Sequence, residues 1–161
     1  MDPNKDFPNP PRKMEWDEMV DIFFKMTGQI AQWKPDEIIA VNRSGYCFAG
    51  WVSQVLKLPL GSYWPDRKIL VKRPESKRLI FVDDNVLKGD TFLAARQEFD
   101  REDFDWAWAV LFSDWNTPEE IRNQIIQGTR LDYFALEPFP GSMKVSQAYG
   151  VRTRDERTDS V

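Results

Sequence analysis

Short apolar runs of strand length alternate with longer segments of helical spacing along most of this chain. Such alternation is typical of βαβ units, in which helices join parallel strands and cover both faces of a sheet. Apolar residues recur at helical spacing in 14–33, 45–56, 89–99 and 118–127, strand-length runs occupy 37–41, 59–63, 78–82, 106–112 and 131–136, and 67–72 alternates weakly. We therefore predict an α/β fold, a single domain with a mostly parallel central sheet flanked by helices.

The length of the chain and the character of its ends set the expected domain limits. A chain of 161 residues, of which 42% are hydrophobic, lies in the range of a single domain. We predict this domain over residues 14–150. Residues 1–13 contain several prolines and no apolar run, which predicts an extended arm rather than a signal peptide or membrane anchor, and the charged residues 151–161 predict a disordered tail. On this basis we expect a cytoplasmic protein.

The composition excludes several kinds of partner and chemistry. The formal net charge of -4 disfavours a nucleic-acid partner, which would require a basic surface. Cys47 is the only cysteine, so the chain can form neither an internal disulfide nor a cluster of thiolate ligands. Histidine is absent, which removes the commonest general base. Catalysis would therefore depend on carboxylates, lysine, tyrosine, backbone dipoles or a hard cation such as Mg²⁺.

Two adjacent carboxylates, Asp83 and Asp84, directly follow the apolar run at 78–82. Ligands of open parallel sheets bind beyond the carboxyl ends of the strands. Neighbouring carboxylates repel each other unless a cation or a hydroxyl-rich ligand is present, and both ribose hydroxyls and hydrated Mg²⁺ suit them. Gly89 and Thr91 then begin a helix, whose free N–H groups can hold a phosphate. The same residues also suit an ordinary turn and helix cap, so their spacing alone leaves both interpretations open.

A second candidate loop follows the apolar run at 37–41. The guanidinium of Arg43 offers a fork of donors and a permanent charge that suit pyrophosphate oxygens. Gly45 would allow backbone N–H groups to turn toward the same ligand. Taken alone, this loop suits a solvated turn, in which a glycine ends the strand, better than it suits a ligand site.

The two loops, in this order, resemble those of the type I phosphoribosyltransferases. Residues 80–91 are similar to the family's signature for 5-phosphoribosyl 1-pyrophosphate (PRPP), and residues 38–45 are similar to its pyrophosphate loop. The pattern looks closest to the xanthine-guanine and hypoxanthine-guanine (6-oxopurine) enzymes, and the likeness extends over roughly residues 14–140.

The resemblance implies an activity and a set of site residues. It implies an α/β domain with a small hood region and a Mg²⁺-dependent enzyme of nucleotide salvage that transfers a phosphoribosyl group from PRPP to a nucleobase, expected to be a purine, with release of pyrophosphate. Catalytic roles would fall to Asp83, Asp84 and Arg43, and Asp83 and Asp84 would also hold the metal. The implied contacts are Asp83, Asp84, Leu87, Lys88, Gly89, Asp90 and Thr91 for the PRPP ribose and phosphate, and Arg43, Ser44 and Gly45 for pyrophosphate.

The resemblance also implies a base site, a flap and an oligomer. Tyr133 would stack on the base while Phe134 presents backbone groups to the edge of the base, although both residues equally suit a buried strand. The family carries a mobile flap where residues 61–77 lie here. The cations of that segment are candidates to reach pyrophosphate but also suit a solvated edge; they are Arg67, Lys68, Lys72 and Arg73. A homodimer or homotetramer is implied, with no nucleic-acid or membrane partner.

Two positions depart from the family pattern. Leu87 stands where 6-oxopurine enzymes carry an acid that is thought to act on the base nitrogen, and Lys88 replaces the usual threonine. Because Leu87 cannot accept a proton, a second hypothesis is a non-catalytic regulatory protein that senses PRPP or a nucleotide with the same fold. A third is an α/β protein that binds phosphate without ribose.

Overall fold

The computed structural model describes residues 15–114 and 116–131 and contains one six-stranded sheet. The strands are β1 (Glu37–Val41), β2 (Leu60–Trp64), β3 (Ile69–Val71), β4 (Arg78–Val86), β5 (Asp105–Asp114) and β6 (Ile126–Leu131). Their order across the sheet is β3-β2-β1-β4-β5-β6, and every neighbouring pair is parallel except the antiparallel pair of β2 and the edge strand β3. The predicted mostly parallel sheet is confirmed.

Helices cover both faces of this sheet. They are α1 (Trp16–Trp33), α2 (Tyr46–Leu56), α3 (Asp90–Phe99) and α4 (Glu119–Arg122). Alternate residues of β1 lie on opposite faces of the sheet. Ile38 and Ala40 pack with α1 and α2, and Ile39 and Val41 pack with α3. The result is a three-layer α/β domain, as predicted. No helix in the described part of the chain combines the length and apolarity needed to cross a bilayer.

Strand β4 is longer than its apolar run predicts. The prediction ended this strand at Val82, but the strand continues through Asp83 and Asp84 to Val86. The neighbouring strand β5 also continues, and Asp83 and Val86 pair with Val110 and Ser113 of β5. Pairing with the long strand β5 therefore keeps Asp83, Asp84 and Asn85 in a regular strand. The apolar pattern alone does not predict this extension of β4.

The segment after β5 differs most from the prediction. The helix expected over 118–127 is only the four-residue α4, and β6 begins at Ile126 within that span. Of the strand expected over 131–136, only Leu131 lies among the described residues, as the last residue of β6. Gly128 lies at the contact of β6 with β5 and α1, where an added Cβ would fall 2.7 Å from the carbonyl oxygen of Leu111. Close packing of β6 against its neighbours thus overrides the helical spacing of 118–127.

Several predictions concern the ends of the chain and are not tested by these elements. The arm at 1–13 and the tail at 151–161 lie outside the described residues. The domain limits of 14–150 and the small hood region also stay predictions, because residues 15–114 and 116–131 form the sheet and its flanking helices alone.

Candidate functional site

The two adjacent carboxylates lie in the last part of β4, at the carboxyl edge of the sheet. Asp83 is 9% exposed, and its Oδ1 accepts hydrogen bonds from the backbone N–H of Asp84 at 2.9 Å and from the hydroxyl of Ser44 at 3.1 Å. Asp84 is half-buried, and its Oδ1 accepts a hydrogen bond from the backbone N–H of Asn85 at 2.8 Å. Each carboxylate is therefore fixed through one oxygen.

The environment of Asp83 opposes its ionisation. Burial, and then the neighbouring charge of Asp84, raise the pKa of Asp83 well above its usual range, while the hydrogen bond from Ser44 acts in the opposite direction. A buried carboxylate held beside a second carboxylate is a frequent mark of a ligand site, because a cation or a set of hydroxyl donors relieves the repulsion.

The loop after β1 lies directly against these carboxylates. The peptide bond between Asn42 and Arg43 is cis. A Cβ on Gly45 would meet the backbone of β4, at the carbonyl oxygen of Val82 and at the Cα of Asp83. Only glycine therefore lets the two loops approach this closely.

Two N–H groups of this loop are used within it. Gly45 was expected to help turn backbone N–H groups toward a ligand, which stays a prediction, and its own N–H donates to the carbonyl oxygen of Val41 at 3.0 Å. The N–H of Tyr46 similarly donates to the carbonyl oxygen of Arg43 at 3.3 Å. These two bonds close the turn that begins α2. Gly45 serves the packing of the loop, and the exposed side chains of Arg43 and Ser44 are left to meet a ligand.

The segment between β4 and α3 forms the other side of the candidate site. Gly89 is the N-cap of α3 with φ of 90°, a conformation that favours glycine, and the helix start has no side-chain cap. The first N–H groups of such a helix are available to an anion. Lys88, Asp90 and Thr91 are exposed around this helix start, and Leu87 is 42% exposed. The predicted phosphate-loop residues are therefore brought together, with Asp90 as the one acid among them.

Two adjoining cavities connect the loops. A cavity of about 380 Å³ is lined by residues 83–92, Ser44 and Trp108. A second, of about 560 Å³, is lined by residues 41–44, residues 64–67, Asp83 and Thr91. Both volumes fall in the usual range for small-molecule sites, and the two cavities share Ser44, Asp83 and Thr91. An elongated ligand can therefore lie across both, with the carboxylates near its middle.

The residues fit a hydrated divalent cation rather than a fully protein-ligated one. Within the described residues there is no group of three or more acidic, histidine or cysteine side chains that could enclose a metal. Asp83 and Asp84 supply two carboxylates, which is the number of protein ligands that Mg²⁺ often takes when water and phosphate oxygens complete its shell. The pair is therefore compatible with Mg²⁺ brought with a phosphate ligand.

The four cations proposed for the flap fall at opposite edges of the sheet. Arg67 lies in the tight turn between β2 and β3, beside the second cavity, with its guanidinium 5.7 Å from the ring centre of Trp64. Lys68 belongs to the same turn.

Lys72 and Arg73, in contrast, follow β3, which runs antiparallel and ends at the amino edge. There Lys72 Nζ donates to the carbonyl oxygen of Ser76 at 3.2 Å, and the N–H of Arg73 donates to the buried carboxylate of Glu37. The proposed role of Lys72 and Arg73 at pyrophosphate is therefore wrong, because β3 carries them away from the site.

Other site residues were not identified in the sequence. Trp64 and Asn42 line the second cavity. Thr117 Oγ1 contacts the carbonyl oxygens of Val86 and Leu87 at 2.9 and 2.6 Å and so ties the segment after β5 to the phosphate loop. These contacts depend on strand order, and no local motif marks them. The proposed base-binding residues, Tyr133 and Phe134, lie outside the described residues.

Comparison with known proteins identifies the fold. No family model and no curated protein sequence matches the chain. Among solved structures, a purine phosphoribosyltransferase from Pyrococcus horikoshii has a TM-score of 0.53 and 20% identity, covering 74% of this chain and 85% of that one. An orotate phosphoribosyltransferase from Aeropyrum pernix has a TM-score of 0.59 and 20% identity, covering 77% of this chain and 75% of that one.

A third similar structure contains a nucleotide. A hypothetical protein from Neisseria gonorrhoeae, solved with bound ppGpp, has a TM-score of 0.56 and 18% identity, covering 78% of this chain and 86% of that one. Identities at this level establish the architecture only. The chain therefore has the fold of the type I phosphoribosyltransferases.

Proposed function

We propose that this protein transfers a 5-phosphoribosyl group from PRPP to a nucleobase, with release of pyrophosphate. The observation that carries the proposal is the hydrogen bond from Ser44 to Asp83, which brings the two predicted loops together at the carboxyl edge of the sheet. The fold of the similar purine and orotate enzymes supports it. A purine acceptor in nucleotide salvage, a cytoplasmic location and a homo-oligomeric state are further expectations from the sequence resemblance.

The ribose and its 5-phosphate would be held by β4 and the start of α3. Asp84, and the oxygen of Asp83 that Ser44 does not contact, can accept hydrogen bonds from vicinal ribose hydroxyls. The 5-phosphate would lie at the N-terminus of α3, where uncapped N–H groups and the exposed Lys88 both favour an anion. Fixing the ribose at both ends would supply much of the rate acceleration, because it aligns C1 with the acceptor.

The pyrophosphate would lie toward the second cavity. As the bond between C1 and the pyrophosphate oxygen breaks, positive charge develops on the ribose ring and negative charge on the leaving group. Arg43 and Arg67 line this cavity and can stabilise the departing anion. Mg²⁺, when bound with PRPP near Asp83 and Asp84, would supply further positive charge to the leaving group.

The acceptor side lacks the family acid at position 87. Leu87 occupies the position of the family acid, and its half-exposed apolar side chain lines the first cavity. A base that needs proton removal by this residue would therefore react slowly. Bases whose attacking nitrogen is already free of a proton would not depend on it.

The proposed activity is tested by measuring pyrophosphate release from PRPP and Mg²⁺ with adenine, guanine, hypoxanthine, xanthine, uracil and orotate. We expect release with at least one base and its loss in Asp84→Asn. The matched control is Asp103→Asn, which changes an exposed aspartate paired with Lys77 at the opposite edge. Wild-type PRPP binding without release for any base would contradict transfer, as would full activity in Asp84→Asn.

A second candidate is a non-catalytic protein that senses PRPP or a nucleotide. Two observations favour it: Leu87 removes the family acid, and the similar Neisseria gonorrhoeae structure holds ppGpp. Under this hypothesis nucleotides or PRPP bind in the same cavities without turnover. Titration calorimetry with PRPP, GMP and ppGpp, combined with the release assay, separates the two candidates, because only transfer produces pyrophosphate.

A further inference from the structure

A cluster of aromatic side chains lies on the surface of α1 and α2, separate from the two cavities of the candidate site. The ring of Trp51 packs edge to face against the rings of Trp16, Phe23 and Phe48, with centroids 6.1, 5.8 and 5.6 Å away. Trp16, Phe24 and Trp51 are nevertheless 60%, 54% and 39% exposed. A contiguous exposed apolar patch of this kind is typical of an interaction surface.

These rings border a groove between the two helices, which we call the aromatic groove. Its volume is about 210 Å³, and its described lining is entirely apolar: Trp16, Met19, Val20, Phe23, Phe24 and Trp51. Small-molecule sites usually have volumes of about 300–1,000 Å³ and contain a few placed polar groups. The aromatic groove therefore does not suit a nucleotide or cofactor, and it suits the apolar side chains of a short peptide.

The segment that precedes α1, residues 1–14, is a peptide of this kind. Pro8 and Pro11 stand at the spacing Pro-x-x-Pro, and such segments bind grooves lined by aromatic side chains in the polyproline II conformation. Proline loses little conformational freedom on binding, because its ring already fixes φ. Phe7 directly precedes this motif and supplies a further apolar side chain.

The connection of this segment to the fold brings it to the aromatic groove. It joins α1 at Glu15, and the next residue, Trp16, lines the groove. Along the axis of α1, Trp16 and Phe24 are about 12 Å apart. Pro8 and Pro11 would span about 9 Å in the polyproline II conformation. The motif therefore matches the length of the groove, and residues 12–14 provide enough chain for a turn that reverses its direction.

The charges at this junction favour the same placement. Arg12 and Lys13 are adjacent cations, and Asp17 and Asp21 are exposed acids one turn apart on α1. If the segment turns back along α1, its two cations lie beside these acids. Such complementary charges favour this orientation of the segment over the reverse one.

We propose that residues 1–14 fold back onto the aromatic groove of their own chain, with Pro8 and Pro11 against the rings of Trp16, Phe24 and Trp51. The covalent connection gives the segment an effective concentration of about a millimolar, which favours it over the same segment of a second copy. Docking would cover an aromatic surface that otherwise promotes association. The inference does not depend on the proposed transferase activity.

A spin label on the full-length chain tests this inference. Cys47→Ser removes the only cysteine, and Asn9→Cys then carries a nitroxide within the motif while leaving its prolines in place. Fluorotryptophan is incorporated, and single Trp→Phe substitutions assign the fluorine signals. We expect strong broadening of the signals of Trp16 and Trp51. The signal of Trp106 should broaden far less, because Trp106 packs on the α3 face, at the start of β5.

Matched variants separate docking from mere attachment. Replacing both prolines of the motif, Pro8→Ser with Pro11→Ser, should abolish most of the broadening at Trp51. Pro3→Ser lies in the same segment outside the motif and should retain it. These substitutions leave the described helices and strands unchanged in sequence, so folding is not at risk. Equal broadening of Trp51 in all three proteins would overturn the inference, and so would its absence from the chain with both prolines.

Mixing two preparations distinguishes the chain's own segment from that of a second copy. Spin-labelled chains without fluorine are mixed with fluorinated chains without the label. We expect the signals of Trp16 and Trp51 to stay sharp in the mixture. Broadening there as strong as in the doubly labelled chain would overturn the inference, because it would assign the aromatic groove to the segment of a second copy.

Discussion

The hydroxyl of Ser44 donates a hydrogen bond to Oδ1 of Asp83 across 3.1 Å, although the two residues are 39 positions apart in the chain. The contact joins the loop after β1 to the end of β4. Because Ser44 and Asp83 line both of the adjoining cavities, this hydrogen bond sets the position of one candidate subsite relative to the other. Changes at either residue should therefore affect the binding of a ligand that spans both cavities.

Removing the Ser44 hydroxyl should weaken PRPP binding. Ser44→Ala leaves Oδ1 of Asp83 with one donor fewer and frees the loop that carries Arg43. We expect the dissociation constant for PRPP to rise about tenfold, or about 1.4 kcal/mol, as is typical for a hydrogen bond to a charged group. Ser53→Ala is the matched control, since its hydroxyl bonds the carbonyl oxygen of Leu58 beyond α2. Equal PRPP affinities in the two variants would contradict the role of Ser44.

Two glycines of the same region should respond oppositely to alanine. In Gly45→Ala the new Cβ would meet the backbone of β4, so we expect a loss of about 1–3 kcal/mol in unfolding free energy and weaker PRPP binding. Gly50→Ala, within α2, places a Cβ that has no atom within 4 Å beyond the neighbouring turns of its own helix, and it should gain about 0.5–1 kcal/mol. Urea denaturation measures both changes, and similar stabilities of the two variants would argue against the tight contact at Gly45.

Replacing Asp83 should stabilise the ligand-free protein while impairing its function. Burial and Asp84 raise the pKa of Asp83, so the folded state binds this proton more tightly than the unfolded chain, where the pKa is about 3.9. The unfolding free energy of the wild type should therefore fall as the pH rises from about 4 through the folded pKa. Asp83→Asn should lack this fall and lose PRPP binding. Thermal unfolding of the wild type and of Asp83→Asn across this pH range checks the prediction. Identical dependence of stability on pH in the two proteins would contradict it.

Arg43 should matter more to turnover than Arg73, which lies at the opposite edge of the sheet. It lines the cavity assigned to pyrophosphate, and removal of one donor to a developing anion typically costs a factor of about 10²–10³ in kcat. We expect Arg43→Ala to show a loss of this size in pyrophosphate release. Arg73→Ala should retain wild-type activity, because Arg73 lies at the amino edge and its backbone N–H, which the substitution keeps, makes the contact with Glu37. Comparable losses in the two variants would contradict the placement of the leaving group.

The sequence predicts the sheet and the two loops because both depend on local patterns. Apolar runs such as 37–41 are buried on both faces of the sheet, which makes them conspicuous. Asp83 and Asp84 follow such a run, and Gly89 precedes a helix of regular spacing. In each case the residue and its neighbours in the chain carry the information.

Features that depend on contacts between distant elements are not predictable in this way. Strand β4 continues past Val82 because β5 runs beside it, and β6 begins within the last two residues of a predicted helix, where Gly128 packs closely against Leu111. The burial of Asp114 at the end of β5 was missed for the same reason, since the predicted strand ended at Phe112.

The central claim, that the two loops form one site for PRPP, is tested most directly by titration calorimetry of PRPP in the presence of Mg²⁺. The wild type should bind PRPP saturably, and Asp84→Asn should bind it at least about 100-fold more weakly with an unchanged melting temperature. Absence of PRPP binding to the folded wild type would contradict the claim, and so would equal affinities of the wild type and Asp84→Asn.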